Sequence, residues 1–174
     1  MYQILKPLVR ECLLITKELG NVIFIGAIAR YFHTNLLRES QDIDFALEKP
    51  LSNKELNDKG YNQFSRNGKL EWFTPRGIKI DMYTKDVSKI PIGIIIKTSK
   101  NFTVNKTEDI VRVIGLEPLI VAKHRAQRDA DIEDLQALAK SRFKDIQWGV
   151  LEKVAKDRHE FDSVKSTMIY LSKL

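Results

Sequence analysis

Val22–Leu47 reads VIFIGAIARYFHTNLLRESQDIDFAL. Its first four residues form an apolar, β-branched run, which predicts a short buried strand. Gly26 then allows a tight turn into a helix predicted over Ala27–Leu37. The segment Arg38-Glu39-Ser40-Gln41-Asp42-Ile43-Asp44 follows, with two carboxylates separated by one apolar residue. Asp42–Leu47 alternates as D-I-D-F-A-L, the pattern of a second strand. On a strand, residues i and i+2 share a face and lie about 6.5–7 Å apart. Two like charges on a half-buried face are costly unless a cation or a proton lies between them. Asp42 and Asp44 are therefore candidate ligands of a divalent metal. The plainer reading, ordinary turn and edge residues, stays open on these two residues alone.

A third carboxylate, Asp81, stands in Ile78-Lys79-Ile80-Asp81-Met82-Tyr83, out of phase with Ile78, Ile80 and Met82. If that strand lies beside Asp42–Leu47, three carboxylates converge on one sheet edge. Such an all-oxygen set suits Mg²⁺ or Mn²⁺. Gly26, at the mouth of the predicted helix, would let backbone N–H groups approach an anion, although a plain helix-entry turn needs the same glycine.

Outward from this stretch, residues 3–19 carry Leu5, Leu8, Val9, Cys12, Leu13, Thr16 and Leu19 at helical spacing, and Gly20 stops them. Arg10, Glu11, Lys17 and Glu18 interrupt the apolar character, so the segment reads as an amphipathic helix and not a secretory signal. Downstream, Ser52-Asn53-Lys54-Glu55 has the form of a capping box for a short helix over 53–59. Tyr61–Arg66, Leu70–Thr74 and Ile78–Tyr83 read as strands with turns at Asn67-Gly68 and Pro75-Arg76-Gly77. Ile92–Thr98 and Phe102–Val104 read as further short strands. From Leu116 the pattern turns helical: Pro118 suits a first turn, Asp131 could cap a second helix, and two more helices follow over 144–157 and 160–172. The expected division is an α/β part over 1–113 and a helical lobe over 114–174. The expected fold class is α/β (α+β), a mixed sheet flanked by helices, with a right-handed early crossover if its strands are parallel.

Composition narrows the field. Hydrophobic residues make up 43% of the 174, enough for a packed core. No apolar run approaches the roughly 20 residues of a membrane span. The single cysteine, Cys12, excludes an internal disulfide and a cysteine-type zinc site; it reads as a core thiol in a cytoplasmic protein. The net charge of +6 favours anionic partners such as nucleotides or RNA, or serves solubility alone.

Gly26 to Asp44 resembles the core motif of the DNA polymerase β-type nucleotidyltransferase superfamily, in which a glycine turn precedes D-x-D and a third carboxylate follows on a later strand. Arg38-x-Ser40-x-Asp42-Ile43-Asp44 is similar to the version found in AbiEii-like toxin nucleotidyltransferases. A second segment, Glu117-Pro118-Leu119-Ile120-Val121-Ala122-Lys123 through Arg128-Asp129-Ala130-Asp131-Ile132-Glu133-Asp134-Leu135, is similar to that family's E-x-L-x-x-K…R-x-x-D-x-x-D-L helix pair. The likeness spans Val22–Leu138. It implies a metal-dependent enzyme moving a nucleoside monophosphate from a nucleoside triphosphate to a hydroxyl acceptor, which could be tRNA, a protein or a small molecule. It also implies a toxin–antitoxin setting with an antitoxin-like partner. Asp42, Asp44 and Asp81 would hold Mg²⁺ (or Mn²⁺), with Asp81 alternatively a general base. Gly26, Ala27, Arg38, Ser40, Lys123 and Asp131 would line the nucleotide site.

One residue departs from the family pattern. Ala27 stands where the turn usually has Gly or Ser; it offers no hydroxyl and adds a methyl where the backbone would approach a phosphate. The alternative is therefore a catalytically weakened nucleotide- or nucleic-acid-binding module of the same fold. Simpler roles stay open elsewhere: Lys123 as a solvated helix lysine, Asp131 as an N-cap, Asp134 as a tether for Arg128 or Lys123, and Arg38 as an ion-pair partner of Asp42. Trp72 and Phe73 read as packing residues, and His33 and His124, each isolated, as non-metal histidines. Ser40 has no histidine arranged to activate it as a nucleophile.

Overall fold

The computed structural model describes residues 7–36, 40–104 and 109–174. In chain order the elements are α1 (Pro7–Leu19), β1 (Val22–Phe24), α2 (Gly26–Thr34), β2 (Asp42–Leu47), α3 (Asn53–Asp58), β3 (Asn62–Arg66), β4 (Lys69–Phe73) and β5 (Lys79–Tyr83). They continue with β6 (Asp86–Val87), β7 (Ile90–Pro91), α4 (Ile92–Thr98), β8 (Lys100–Thr103) and β9 (Ile110–Val113). Helices α5 (Leu116–Ala126), α6 (Asp129–Arg142), α7 (Trp148–Val154) and α8 (Arg158–Leu171) complete the chain, with a 3₁₀ turn at Phe143–Asp145. Among the described residues no helix is long and apolar enough to cross a membrane.

The main sheet runs β3-β4-β5-β2-β1-β9-β8. It is mixed: β1 pairs with β9 and β2 with β5 in parallel, while β1–β2, β3–β4, β4–β5 and β8–β9 are antiparallel. The fold is thus the expected α/β class, a mixed sheet flanked by helices. All three residues of β1 are buried, as a central strand covered on both faces requires. Phe24 and Phe45 are register partners and meet edge to face, with ring centroids 6.0 Å apart. The capping box forms at Ser52, whose hydroxyl accepts from the Glu55 N–H while the Glu55 carboxylate accepts from the Ser52 N–H. Cys12 is fully buried and free, and burial pushes its thiol well above the ordinary range.

Arg76 ties the sheet to α1. Its guanidinium donates to Glu11 and, through both terminal nitrogens, to Glu18, which also accepts from the Tyr61 hydroxyl at 2.7 Å. Glu18 is partly desolvated, yet the bonds from Arg76 and Tyr61 hold its carboxyl below the usual range.

Three expectations are corrected. Ile92–Thr98 is helix α4, not a strand: Ile92 and Ile95 are buried one turn apart, and that tertiary packing overrides the β propensity of an isoleucine run. The β1–β2 connection carries an antiparallel pair, so the right-handed crossover condition is not met. The helix over 144–157 is shorter, because Ile146 and Gln147 adopt extended backbone between the 3₁₀ turn and α7. The β6–β7 hairpin was not anticipated; its turn residues Ser88 and Lys89 both take positive φ without a glycine or an asparagine.

Candidate active site

The site begins with a register. Parallel pairing sets Asp42 beside Lys79 and Asp44 beside Asp81. Paired residues on adjacent strands, about 4.8 Å apart, present their side chains to the same face. Asp42, Asp44 and Asp81 therefore share one face, as the alternation of the two strands predicts. Strand β4 pairs Phe73 with Lys79, so one pleat further on Glu71 reaches the same face, a fourth carboxylate.

Lys79 lies within this row. Its Nζ is 3.2 Å from Glu71 Oε1, 3.7 Å from Asp81 Oδ2 and 4.0 Å from Asp42 Oδ2. Asp42 and Asp81 thus face each other across a single ammonium. The contact with Glu71, reinforced by Asp81 and Asp42, holds Lys79 above the ordinary lysine value. Glu71 Oε2 is buried with no hydrogen-bond partner among the described residues. Among those residues no three His, Cys, Asp or Glu side chains close into a ready-made metal cage; the carboxylates are spread along a row.

Gly26 sets how closely the chain can approach that row. The residue has φ +60, and a Cβ built on it would stand 2.4 Å from Asp44 Oδ2. Only glycine fits both the backbone and the space. Ile25 N–H donates to the Asp44 carbonyl at 3.0 Å, fastening the turn to β2. Helix α2 starts at Gly26 with no side-chain cap, so its first N–H groups point outward at a site of partial positive charge. Ala27, the next residue of the turn, is buried at 5% exposure. Ser40 Oγ is 3.0 Å from both the carbonyl oxygen and Oδ1 of Asp42, so the hydroxyl orients the first carboxylate.

Asp44 sits in the least favourable electrostatic position. Burial raises its carboxyl pKa to about 6, with the Asp42 and Asp81 charges adding to the effect and Lys123 and Arg128 opposing it. Tyr83, two residues beyond Asp81, shares the face and the cleft; burial, then Asp44 and Asp81, push its phenol up, so it stays protonated as a donor.

Opposite the row stands a second cluster, built from α2, α5 and α6. Lys123 Nζ contacts Asp131 Oδ1 and Asp134 Oδ2, each at 2.8 Å. Arg128 Nε reaches Asp131 Oδ2 at 2.6 Å, and Arg30 Nε lies 3.3 Å from Asp134 Oδ1. Both aspartates are 0% exposed. Burial alone would raise the Asp131 carboxyl, but the bonds from Arg128 and Lys123 hold it below the usual range. The N-cap reading of Asp131 is corrected: the cap of α6 is Arg128, and the Asp131 side chain bonds to cations instead. Nor is Lys123 a solvated lysine, since it is 5% exposed. A narrow pocket of about 70 Å³ separates the two clusters, lined by Gly26, Asp44, Tyr83, Lys123, Arg128 and Asp131 among others.

The structure thus brings Gly26, Asp44, Lys123 and Asp131 to one pocket and sets Asp42, Asp81 and Ser40 on or beside the row. Arg38 lies outside the described residues. The histidines bond elsewhere: His33 Nε2 is 2.8 Å from the Ile114 carbonyl and His124 Nε2 is 3.3 Å from Ser163 Oγ. Sequence reading missed Glu71, Lys79 and Tyr83, and weighed Arg128 only as a partner of Asp134, whereas it bonds Asp131. The phase K-x-D-x-Y of β5 was visible, but placing Glu71 requires knowing that β4 is its neighbour.

No curated protein matches the sequence significantly. Among solved structures the fold is similar to an antigenic nucleotidyltransferase-like protein from Paracoccidioides brasiliensis, with a TM-score of 0.51 and 14% identity over 92% of this chain and 91% of that one. It is also similar to JHP933 from Helicobacter pylori, with a TM-score of 0.51 and 17% identity over 95% and 91% of the respective chains. At such identities the likeness is one of fold. The sequence itself is more specific: a family model covers residues 16–169, and the chain belongs to that family, described as "Nucleotidyl transferase of unknown function (DUF2204)".

Proposed function

We propose that the protein transfers a nucleoside monophosphate from a nucleoside triphosphate to a hydroxyl acceptor, releasing pyrophosphate. The observation that carries this reading is the parallel β2–β5 register, which puts Asp42, Asp44 and Asp81 on one face beside the open N-terminus of α2. Within the superfamily we favour the AbiEii-like branch, on the Arg38-x-Ser40-x-Asp42-Ile43-Asp44 pattern.

The donor set fits a hard divalent cation: its atoms are carboxylate oxygens, and three of the carboxylates, Asp42, Asp81 and Glu71, surround the Lys79 ammonium. Asp42, Asp44 and Asp81 would hold Mg²⁺, which when bound supplies charge neutralisation to the triphosphate and the departing pyrophosphate. The chain's own groups do the rest. The first N–H groups of α2 receive β- and γ-phosphate oxygens. Arg128, whose side chain is 75% exposed while still bonded to Asp131, presents its guanidinium to the phosphates. Lys123 and Asp131 form the facing wall. In the transfer, the acceptor oxygen bonds to the α-phosphorus as the bond to the β-phosphate oxygen breaks, and Asp81 takes the hydroxyl proton.

The test is a label-transfer assay with Mg²⁺ and α-labelled ATP, CTP, GTP or UTP, offering total RNA and total protein as acceptors. Transfer that is abolished in both Asp42→Asn and Asp44→Asn is the expected result. Metal-dependent triphosphate binding without transfer to any acceptor would overturn the catalytic reading and favour the binding module.

A further inference from the structure

The pocket between the two charged clusters, at about 70 Å³, has no room for a polymeric acceptor. Beside it lies a larger cavity of about 610 Å³, and the two share Ser88 and Ala126 in their walls. That cavity in turn shares Ile94, Lys153 and Val154 with a third, of about 380 Å³. Together the second and third cavities form a trough leading away from the carboxylate row along α4, α5, α7 and the start of α8.

The charge of the trough is one-sided. Lys89, Lys97, Lys100, Arg125, Lys153 and Lys156 line it, against Glu117 and Glu160 alone. Both glutamates are already engaged. Glu117 Oε1 accepts the Gln147 N–H at 2.9 Å. Glu160 accepts two guanidinium bonds from Arg125, at 2.7 and 2.8 Å, and the Lys156 N–H; the Arg125 contact lowers its carboxyl pKa to about 2. None of the five lysines forms an ion pair among the described residues. The floor is apolar, from Pro91, Ile94, Val150 and Val154.

The wall shared with the pocket is pre-formed. Ser88 and Lys89 have φ +50 and +62, the left-handed pair of the two-residue β6–β7 turn. It is held from outside: Arg125 Nη1 donates to the Ser88 carbonyl at 2.7 Å, and Lys89 N–H donates to Asp86 Oδ1 at 2.9 Å. Cations spread along two cavities, over an apolar floor that can take sugar and base, match a chain of phosphates better than one compact anion.

We propose that this trough binds the sugar–phosphate backbone of a polynucleotide and leads its terminal hydroxyl to the carboxylate row. The inference rests on the nucleotidyltransferase reading for its purpose, but its test does not. Binding of a fluorescein-labelled single-stranded RNA is measured by anisotropy across a salt series, with no nucleotide, metal or turnover. The variants are the triple charge reversal Lys97→Glu/Lys153→Glu/Lys156→Glu and the milder triple Lys→Gln at the same positions, each checked for an unchanged melting temperature. The expected result is an RNA affinity lower by on the order of a hundredfold in the reversal and intermediate in the glutamine variant, with a shallower slope of log affinity against log salt. Mg²⁺-dependent triphosphate binding should be unchanged in both. RNA affinity within twofold of wild type in the reversal variant would overturn the proposal. So would competition by tripolyphosphate or by polyglutamate at concentrations matching RNA on a charge basis, since these indicate a compact-anion site or an acidic-protein surface. Loss of nucleotidyl transfer with RNA binding intact leaves the trough standing and removes only the catalytic reading.

Discussion

The two charged clusters that face each other across the narrow pocket are built from similar residues and arranged oppositely. On the α5–α6 side, three cations (Arg30, Lys123 and Arg128) meet two aspartates that are completely buried. On the sheet side, among the described residues, three of four carboxylates meet the one Lys79 ammonium, and the Asp42 and Asp81 side chains remain 38% and 43% exposed. Burying an ion is tolerable only when its partners are in place. The fully paired cluster can therefore be interior scaffold, whereas the row, among the described residues, holds more carboxylates than cations in contact with them. On the proposed reading, the position of those carboxylates, next to Gly26 and the uncapped start of α2, makes the row a binding apparatus and the opposite cluster a packing device.

The sharpest way to break the comparison is to neutralise one carboxylate on each side. On the proposed reading, Asp42→Asn reduces transfer at least ~10³-fold, about 4 kcal/mol of transition-state stabilisation. Its melting temperature should hold or rise, because a like charge has been removed. Asp134→Ala should do the reverse. It leaves Lys123 and Arg30 short of a buried partner and costs about 3–5 kcal/mol of stability, or roughly 10 °C in melting temperature for a chain of this size. Paired thermal melts and transfer assays decide it. If Asp42→Asn melts as low as Asp134→Ala, the row is scaffold too.

The contrast also explains what could be read in advance. The strand–Gly–helix–strand order and the shared phase of Asp42 and Asp44 follow from alternation and one glycine, which are local signals. Asp81 was legible as a strand residue of the right phase. Glu71 and Lys79 were not recognised, because a side chain joins the row only through strand order, and β4-β5-β2 adjacency is a property of the folded sheet. Ile92–Thr98 failed for a related reason: its isoleucines favour a strand locally, and packing across α4 decides otherwise. The α5–α6 side was half legible. A lysine and two aspartates at helical spacing suggest tethering, but only burial shows that Asp131 bonds cations instead of capping a helix.

The row's surplus charge should be visible in pH dependence. Asp44 titrates at about 6 in the fold, against 3.8 for an ordinary aspartate. A folded value above the unfolded one means that the folded state holds the proton more tightly. Stability of the metal-free protein therefore falls as pH rises from about 4 to about 6, by up to about 3 kcal/mol, and is flat above that. Urea denaturation across this window should show the slope in the wild type and its loss in Asp44→Asn. On the proposed reading Mg²⁺ competes with the same proton, so its affinity should rise nearly tenfold per pH unit below about 6 and level off above. A metal titration indifferent to pH in this range would detach Asp44 from the metal site.

Lys79 is the smallest lever and the most specific one. Among the described residues its ammonium is the one positive charge in contact with Asp42, Asp81 and Glu71, and it is 27% exposed. A cation bound by those carboxylates must share them with Lys79 or displace it. Lys79→Met keeps the side-chain stem and removes the charge. The expected outcome is Mg²⁺ affinity tighter by on the order of tenfold, the screened worth of one nearby like charge at a partly exposed site. Without metal the variant should be less stable, since Asp42, Asp81 and Glu71 then lose the ammonium among them, and Mg²⁺ should restore the difference. Calorimetric titration together with melts in the presence and absence of Mg²⁺ reads both effects. Weaker metal binding in Lys79→Met would reverse the assignment: Lys79 would then be holding the carboxylates in position for the metal instead of competing for them, and the row would share the internal bracing of the cluster opposite.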